Sequence, residues 1–131
     1  MFTLGLDIGS TTSKSVILQD GKKIVAKALR VGGLGTAGPE EVIAEIMEVS
    51  GLNESDISCS VVTGYGRNKY EGCDREVSEL TCHALGSQII FPEVRTVIDI
   101  GGQDAKVICL NDSGRMTNFV MNDKCAAGTG R

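Results

Sequence analysis

Two segments of the sequence repeat one pattern of residues that suits phosphate chemistry. Residues 6–14 read Leu-Asp-Ile-Gly-Ser-Thr-Thr-Ser-Lys and residues 98–106 read Ile-Asp-Ile-Gly-Gly-Gln-Asp-Ala-Lys, so aspartate, isoleucine, glycine and lysine recur at the same offsets. A carboxylate at a strand end can hold a hydrated cation, and glycine lets backbone N–H groups approach phosphate oxygens. Hydroxyl groups add donors, and lysine adds a positive charge. The repeat therefore predicts a site for phosphate groups and magnesium.

The phosphate interpretation competes with a simpler one, in which each aspartate and glycine only shapes a turn between two strands. A single copy of the pattern would favour the simpler interpretation, whereas two matching copies favour the phosphate site. The first copy is not a P-loop, because Ser13 and not glycine directly precedes Lys14, and a strand-like run follows where a P-loop has a helix. Asp104 fits either a turn or a functional role.

Apolar patterns place each copy of the repeat on a strand, a turn and a second strand. The predicted strands comprise residues 2–8, 15–18, 24–29, 60–63, 96–100, 106–110 and 116–121, the first three of them antiparallel. Helices are predicted from Pro39 to about Gly51 and over residues 78–91, where Pro92 ends the second helix. The apolar residues at helical spacing are Val42, Ile43, Ile46 and Val49, expected to pack on the sheet, and Leu80, Ala84, Leu85 and Ile89. This order of elements indicates a mixed α/β sheet.

Composition and charge exclude several classes of function. The 131 residues are 41% hydrophobic and carry a formal net charge of -4, which argues against a nucleic-acid partner because such a partner needs a basic surface. No apolar run approaches the ~20 residues that span a bilayer, and Met1 leads into a strand-like segment and not into a basic stretch followed by an apolar one. We therefore expect a cytoplasmic protein without a membrane partner. The scattered cysteines, odd in number, indicate reduced and mostly buried thiols and not a disulfide framework.

Four segments, one of them within the second copy of the repeat, carry a resemblance to a known family. They are Val-Thr-Gly-Tyr-Gly-Arg (62–67), Glu-Leu-Thr-Cys-His-Ala (79–84), Asp-Ile-Gly-Gly-Gln-Asp (99–104) and Asn-Asp-Lys-Cys-Ala-Ala-Gly-Thr-Gly-Arg (122–131). The repeated hairpins resemble those of the actin/Hsp70/sugar-kinase superfamily, in which two related ribonuclease H-like lobes clamp the phosphates of a nucleotide. With these segments, the whole chain resembles the activator components of 2-hydroxyacyl-CoA dehydratases and the ATPase subunits of benzoyl-CoA reductase, the BadF/BadG/BcrA/BcrD-type ATPases.

The resemblance implies an organisation in lobes and a set of site residues. Residues 1–92 would form the first lobe and residues 93–131 would open the second, so we expect the chain to be part of a longer protein. ATP or ADP would bind with Mg²⁺. Asp7 and Asp99 would either hold the Mg²⁺ through water or orient the water that attacks the phosphate, and Gln103 would position this attacking water. The residues implied to contact the phosphates are Gly9, Ser10, Thr11, Thr12, Lys14, Gly101, Gly102 and Gln103.

The resemblance also implies a [4Fe-4S] cluster that bridges a homodimer, with two cysteine ligands from each subunit. Cys125 occupies the position of one ligand, and the family's second ligand lies further along than Arg131. A cysteine just ahead of a helix start favours the thiolate, and the small residues after Cys125 leave room for a cluster. ATP hydrolysis would then gate the passage of one low-potential electron, taken from a donor such as ferredoxin or flavodoxin, to a 2-hydroxyacyl-CoA dehydratase.

Other functions use the same predicted hairpins. A sugar or acetate kinase would need both hairpins but no cluster, and the Cys125 segment argues against it. An ATPase subunit of a benzoyl-CoA reductase-type system would share the chemistry and serve a different partner. A nucleotide-binding module without catalytic activity is the third alternative.

Two residues outside the repeat also have competing interpretations. His83 lies on an apolar helix beside Cys82, and we expect it to hold no metal, because no second ligand follows it three or four residues along. Arg67 follows two glycines at a predicted strand end. It is expected either to contact the nucleotide or the other lobe, or to lie on the surface.

Overall fold

The computed structural model describes residues 1–101 and 104–122, which fall into two compact units, Met1–Ser78 and Glu79–Arg131. The elements of the first unit are β1 (Phe2–Ile8), β2 (Thr12–Gln19), β3 (Lys23–Val31), α1 (Gly38–Ser50), β4 (Ile57–Thr63) and β5 (Arg75–Glu76), with short 3-10 helices at Glu54–Asp56 and Arg67–Lys69. The five strands form one sheet in the order β3-β2-β1-β4-β5. The pairs β1–β2 and β2–β3 are antiparallel, whereas β1–β4 and β4–β5 are parallel.

Helix α1 covers the buried face of this sheet. Pro39 suits the first turn, where its missing N–H costs no hydrogen bond, and Gly51 ends the helix in the left-handed conformation with φ 69°. The buried residues form two apolar clusters, Leu4, Ile17, Ala26 and Ile46, and Leu6, Ile8, Val42 and Val62. Val49 does not join them, since it is 64% exposed. Val49 lies in the last turn of the helix, beyond the buried Ile46, whereas Met47 packs against the first cluster.

The second unit is a helix on an antiparallel sheet. Its elements are α2 (Glu79–Ile90), β6 (Thr96–Ile100), β7 (Ala105–Leu110) and β8 (Met116–Asn122), with the strands in the order β6-β7-β8. Ala84 packs with Ile108 and Leu110, and Leu80 joins this cluster from the same helix. Leu85 and Ile89 are 53% and 75% exposed, so only part of the apolar pattern of α2 faces this core.

The structure confirms the mixed α/β sheet and the predicted strands and helices, with shifts at their ends. The short strand β5 is an addition that no sequence pattern indicated. The compact units divide between Ser78 and Glu79 and not at residue 92, because α2 packs with β6 and β7 through Leu80 and Ala84. How the lobes divide in the whole protein stays a prediction.

Two smaller expectations concern the cysteines and the membrane. The described cysteines, Cys59, Cys73, Cys82 and Cys109, are free as predicted, but all of them are half-buried and none is fully buried. Each helix in the described ranges is too short or too polar to cross a bilayer.

Candidate functional site

The first copy of the repeat forms the β1–β2 hairpin. Asp7 and Lys14 are direct partners in the register of the two strands, and Lys14 Nζ donates to Asp7 Oδ2 at 3.0 Å. The N–H of Gly9 donates to the carbonyl oxygen of Thr12 at 2.9 Å and closes the turn. Ser10 and Thr11 are exposed at its tip. The strands therefore present a carboxylate, an ammonium and two hydroxyl groups at one end of the sheet.

Glycine-containing loops hold this turn from both sides. Gly32 N–H donates to the Thr11 carbonyl at 2.9 Å and Leu34 N–H to the Gly9 carbonyl at 3.1 Å, so the loop after β3 follows the turn closely. After β4, Gly64 adopts φ 91°, and a Cβ there would overlap Asp7 Oδ1. Only glycine allows the backbone to lie this close to the carboxylate. The loop after β3 thus holds the turn, and the backbone at Gly64 lies directly against Asp7.

Thr63 is a site residue that sequence reasoning missed. It ends β4 opposite Asp7 in the parallel register, so the two side chains lie on the same face of the sheet. Its Oγ1 is buried and has no hydrogen-bond partner within the described ranges. A buried hydroxyl without a partner is costly, and an added donor or acceptor beside Asp7 would satisfy it. The available signal was its place at a strand end directly before Gly64.

The second copy of the repeat forms the β6–β7 hairpin with the same backbone geometry. Asp99 pairs with Lys106 in the register, and Gly101 N–H donates to the Asp104 carbonyl at 2.8 Å, as Gly9 does to Thr12 in the first copy. The predicted phosphate contacts Gly102 and Gln103 lie outside the described residues. The repeat seen in the sequence is therefore also a repeat of strand register and turn hydrogen bonding.

The lysines of the two hairpins lie in different surroundings. The Lys14 side chain is 44% exposed and has the carboxylate of Asp7 beside it. The Lys106 side chain is 3% exposed, and its Nζ lies 2.8 Å from Asp104 Oδ2, 3.5 Å from Asp99 Oδ2 and 3.8 Å from Glu79 Oε1. The Lys14 ammonium is therefore open to solvent, whereas Lys106 is held by three carboxylates. Asp104 therefore has a structural partner in addition to its place in the turn.

Charge explains how Lys106 stays protonated in this position. Burial acts to lower the pKa of its ammonium, but the hydrogen bond to Asp104 and the charges of Glu79, Asp104 and Asp99 outweigh burial and raise the pKa above the ordinary 10.5. Lys106 thus carries its charge throughout the physiological range. Its ammonium lies between the carboxylates of Glu79, Asp99 and Asp104.

His83 contributes to the second hairpin, which sequence reasoning did not foresee. Its Nδ1 lies 3.3 Å from Asp99 Oδ2. Within the described ranges, no group of three or more His, Cys, Asp or Glu side chains is arranged to hold a metal ion. The missed signal was the spacing of Glu79 and His83, four residues apart on a predicted helix.

Arg67 has partners within the first unit. Its Nη1 donates to the Gly64 carbonyl at 3.0 Å, and its Nε donates to Glu76 Oε1 at 3.1 Å. The side chain thus links the turn beside Asp7 to the edge strand β5. These contacts hold Arg67 within the first unit, and a contact with the nucleotide or with the other lobe stays a prediction. Cys125, the predicted cluster ligand, lies outside the described residues.

The donor set of the first hairpin fits a magnesium-bound phosphate group. Magnesium in nucleotide sites keeps several waters and uses one or two carboxylates together with phosphate oxygens. Asp7 offers such a carboxylate at 33% exposure, with the Thr63 hydroxyl beside it and the Ser10 and Thr11 hydroxyls at the turn. Asp99 is the equivalent carboxylate of the second hairpin. These groups can hold water around a cation and donate to phosphate oxygens.

Comparison with known proteins gives relatives along the whole chain. It is 57% identical over 131 residues to the 2-hydroxyisocaproyl-CoA dehydratase activator of Clostridioides difficile, and 57% identical over 132 residues to the (R)-2-hydroxyglutaryl-CoA dehydratase activating ATPase of Acidaminococcus fermentans. These matches cover 100% of this chain but 49% and 50% of the relatives. The chain thus spans about half the length of the curated relatives it matches.

Solved structures agree with these relatives. The activator of the 2-hydroxyisocaproyl-CoA dehydratase from Clostridium difficile with bound ADPNP superposes with a TM-score of 0.94, over 99% of this chain and 48% of that one. The PPX-GPPA enzyme of Aquifex aeolicus, 17% identical, shares the fold with a TM-score of 0.60 over 97% of this chain and 54% of that one. The fold is therefore that of the actin/Hsp70/sugar-kinase-type ATPases, as predicted. Residues 4–131 match the BadF/BadG/BcrA/BcrD ATPase family, and the chain belongs to this family.

Proposed function

We propose that the whole protein binds and hydrolyses ATP with Mg²⁺, and that the β1–β2 and β6–β7 hairpins are its phosphate-binding elements. The observation that carries the proposal is the matched geometry of the hairpins, in which Asp7 pairs with Lys14, Asp99 pairs with Lys106, and the same turn hydrogen bond closes each copy. The relative solved with bound ADPNP supports it, since that structure superposes along 99% of this chain.

Each group of the first hairpin has a chemical task in this proposal. Lys14 is half-exposed and places its ammonium beside a phosphate oxygen, and the Ser10 and Thr11 hydroxyls donate to further oxygens. Asp7 orients water molecules, which either surround the cation or attack the terminal phosphate. Bound magnesium would neutralise phosphate charge. Gln103 and the main-chain donors of Gly9, Gly101 and Gly102 complete the proposed set of contacts.

Nucleotide titration and hydrolysis assays on the whole protein test this proposal. We expect Lys14→Met to weaken ATP binding by about tenfold or more, because a charge-assisted hydrogen bond is lost. We expect Asp7→Asn to slow hydrolysis by about 100-fold while the fold is kept. Lys22→Met, an exposed lysine in the β2–β3 turn, is the control and should match the wild type. Equal behaviour of all three variants would contradict the proposal.

We further propose that the whole protein is a homodimeric activator of a 2-hydroxyacyl-CoA dehydratase that passes it one low-potential electron from a donor such as ferredoxin or flavodoxin. The names of the relatives that are 57% identical support the dehydratase as the partner, whereas a benzoyl-CoA reductase subunit from Thauera aromatica is 31% identical. Cys125 is the proposed ligand of a [4Fe-4S] cluster that the two protomers share. Its assignment depends on the resemblance of residues 122–131.

Iron analysis and absorption spectra of anaerobically purified whole protein test the electron-transfer proposal. Wild type and Cys109→Ser should contain iron and sulfide and show a brown chromophore, since Cys109 is a half-buried thiol of β7. Cys125→Ser should lose both the iron and the colour. A colourless wild-type protein that phosphorylates a sugar or acetate would instead establish the kinase alternative.

A further inference from the structure

Helix α2 contacts the second hairpin through two side chains one turn apart. Glu79 and His83 are four residues apart, a spacing that places both on the same face of the helix. Glu79 Oε1 lies 3.8 Å from Lys106 Nζ, and His83 Nδ1 lies 3.3 Å from Asp99 Oδ2. Asp99 and Lys106 are themselves partners in the β6–β7 register. One helical face therefore contacts both members of the Asp–Lys pair.

These contacts determine how the Asp99 carboxylate is oriented. Its Oδ2 lies 3.5 Å from Lys106 Nζ and 3.3 Å from His83 Nδ1, so the ammonium and the imidazole approach the same oxygen. Two partners on one oxygen set the rotation of the carboxylate and, with it, the position of Oδ1. The Asp99 side chain is 22% exposed, so it is held on one side and remains accessible on the other.

The equivalent pair of the first hairpin is held differently. Asp7 and Lys14 are 33% and 44% exposed, and the backbone of Gly64 lies close to the Asp7 carboxylate. In the second hairpin the Lys106 ammonium is buried and its own position depends on Glu79 and Asp104. Glu79 therefore acts on Asp99 through Lys106, whereas His83 acts on it directly.

We propose that His83 and Glu79 are positioning residues for Asp99. Through these two side chains, α2 holds in place the Asp99 carboxylate, which the second hairpin directs to the magnesium-bound nucleotide. This inference rests on the proposed nucleotide site and gives a role to the segment at residues 79–84. Partners of this kind, which orient a metal-associated carboxylate without touching the metal, change metal affinity by about 10- to 100-fold when they are removed. His83 is the stronger of the two because its contact is direct.

Calorimetric titration of the whole protein with ADP, with and without magnesium, tests the inference. The quantity of interest is the gain in ADP affinity on adding magnesium. We expect Asp99→Asn to abolish this gain and His83→Ala to reduce it by about tenfold. His83→Asn retains an N–H donor near the position of Nδ1 and should restore the gain to within about twofold. Glu79→Gln should give a smaller reduction than His83→Ala, and Glu93→Gln, an exposed carboxylate on the turn after α2, should give none.

The variants separate failure of the inference from failure of the proposed site. If the wild type shows no gain from magnesium, the proposed nucleotide site is wrong and the inference falls with it. If Asp99→Asn loses the gain but His83→Ala keeps it, the site stands and only the positioning role is refuted. If His83→Asn is as poor as His83→Ala and both melt at the same lowered temperature, the histidine serves stability alone, and the inference is again refuted.

Discussion

Removing the ammonium of Lys106 should destabilise the second hairpin far more than the equivalent change destabilises the first. In Lys106→Met, three carboxylates lose the cation that lies among them, and the methionine keeps most of the volume. Breaking a buried ion pair by deleting one partner costs about 3–5 kcal/mol. Because the three carboxylates are 22–28% exposed and regain some hydration, we expect the lower end, about 3 kcal/mol.

The repeat supplies a matched control at the same offset. Lys14→Met removes an ammonium that is 44% exposed and lies beside one carboxylate, and exposed pairs contribute about 0–1 kcal/mol. Hydrogen exchange of the whole protein, followed peptide by peptide, reports the opening free energy of each hairpin separately. A loss of about 3 kcal/mol accelerates exchange by about 150-fold, since each 1.36 kcal/mol is a factor of ten.

A second substitution tests the electrostatic origin of the effect. Asp104→Asn removes the carboxylate whose Oδ2 lies 2.8 Å from the ammonium. Added to Lys106→Met, it should slow exchange in β7 again, because it relieves repulsion among carboxylates that no longer have a cation between them. Equal acceleration in both hairpins, or faster exchange in the double variant than in Lys106→Met, would refute the reasoning.

Three further predictions concern backbone strain and titration in the first unit. Gly64→Ala should cost about 1–3 kcal/mol in urea unfolding, because φ 91° strains alanine and its Cβ overlaps Asp7, while Gly21→Ala, with open space at φ 68°, should cost less. Hydrogen bonds from the Ser60 N–H and hydroxyl lower the pKa of Asp74 below 3.8. The stability that these bonds contribute is therefore fully present above pH 3.8 and is lost as the pH falls through the lower pKa of Asp74 in the folded protein. Acid unfolding of Asp74→Asn should lack this pH-dependent loss of stability. Burial raises the pKa of the Cys73 thiol above 9.0; the hydrogen bond with Ser60 acts to lower this pKa, and the charges of Asp74 and Cys59 raise it further. Iodoacetamide labelling of Cys73 in the folded protein should therefore reach half its maximal rate only above pH 9.0.

The parts of the fold that local chemistry determines were predictable from the sequence. The Asp–Ile–Gly pattern predicted a strand, a turn and a second strand in each copy, and the structure confirms both hairpins. Pro39 and Gly51 marked the ends of α1, where the structure has a proline in the first turn and a left-handed glycine. The two-residue strand β5 gave no such signal, because two residues show no periodicity. It is held by contacts from elsewhere in the chain, such as the bond from Arg67 to Glu76.

The parts of the site that depend on packing were not predictable. Lys106 has the same place in the repeat as Lys14, and the sequence alone makes both equally suited to bind phosphate. Its burial follows from the way α2 packs on β7 through Ala84 and Ile108, which brings Glu79 and His83 to the hairpin. The residue types show that a lysine and carboxylates can interact. They do not show that Lys106 is buried, because this burial arises only when α2 packs on the β6-β7-β8 sheet.

The two hairpins consequently have the same backbone hydrogen bonding, but their lysines lie in different chemical surroundings. Where the first copy has the neutral Thr12, the second has Asp104, and this carboxylate is the nearest partner of the buried ammonium. Lys14 therefore remains exposed to a ligand, while Lys106 stabilises carboxylates in its own unit. In the proposed nucleotide site, the first hairpin then supplies positive charge for phosphate and the second supplies an oriented carboxylate for magnesium. Replacing Lys14 should accordingly weaken binding of the nucleotide itself, whereas disturbing the surroundings of Asp99 should mainly weaken the dependence of binding on magnesium.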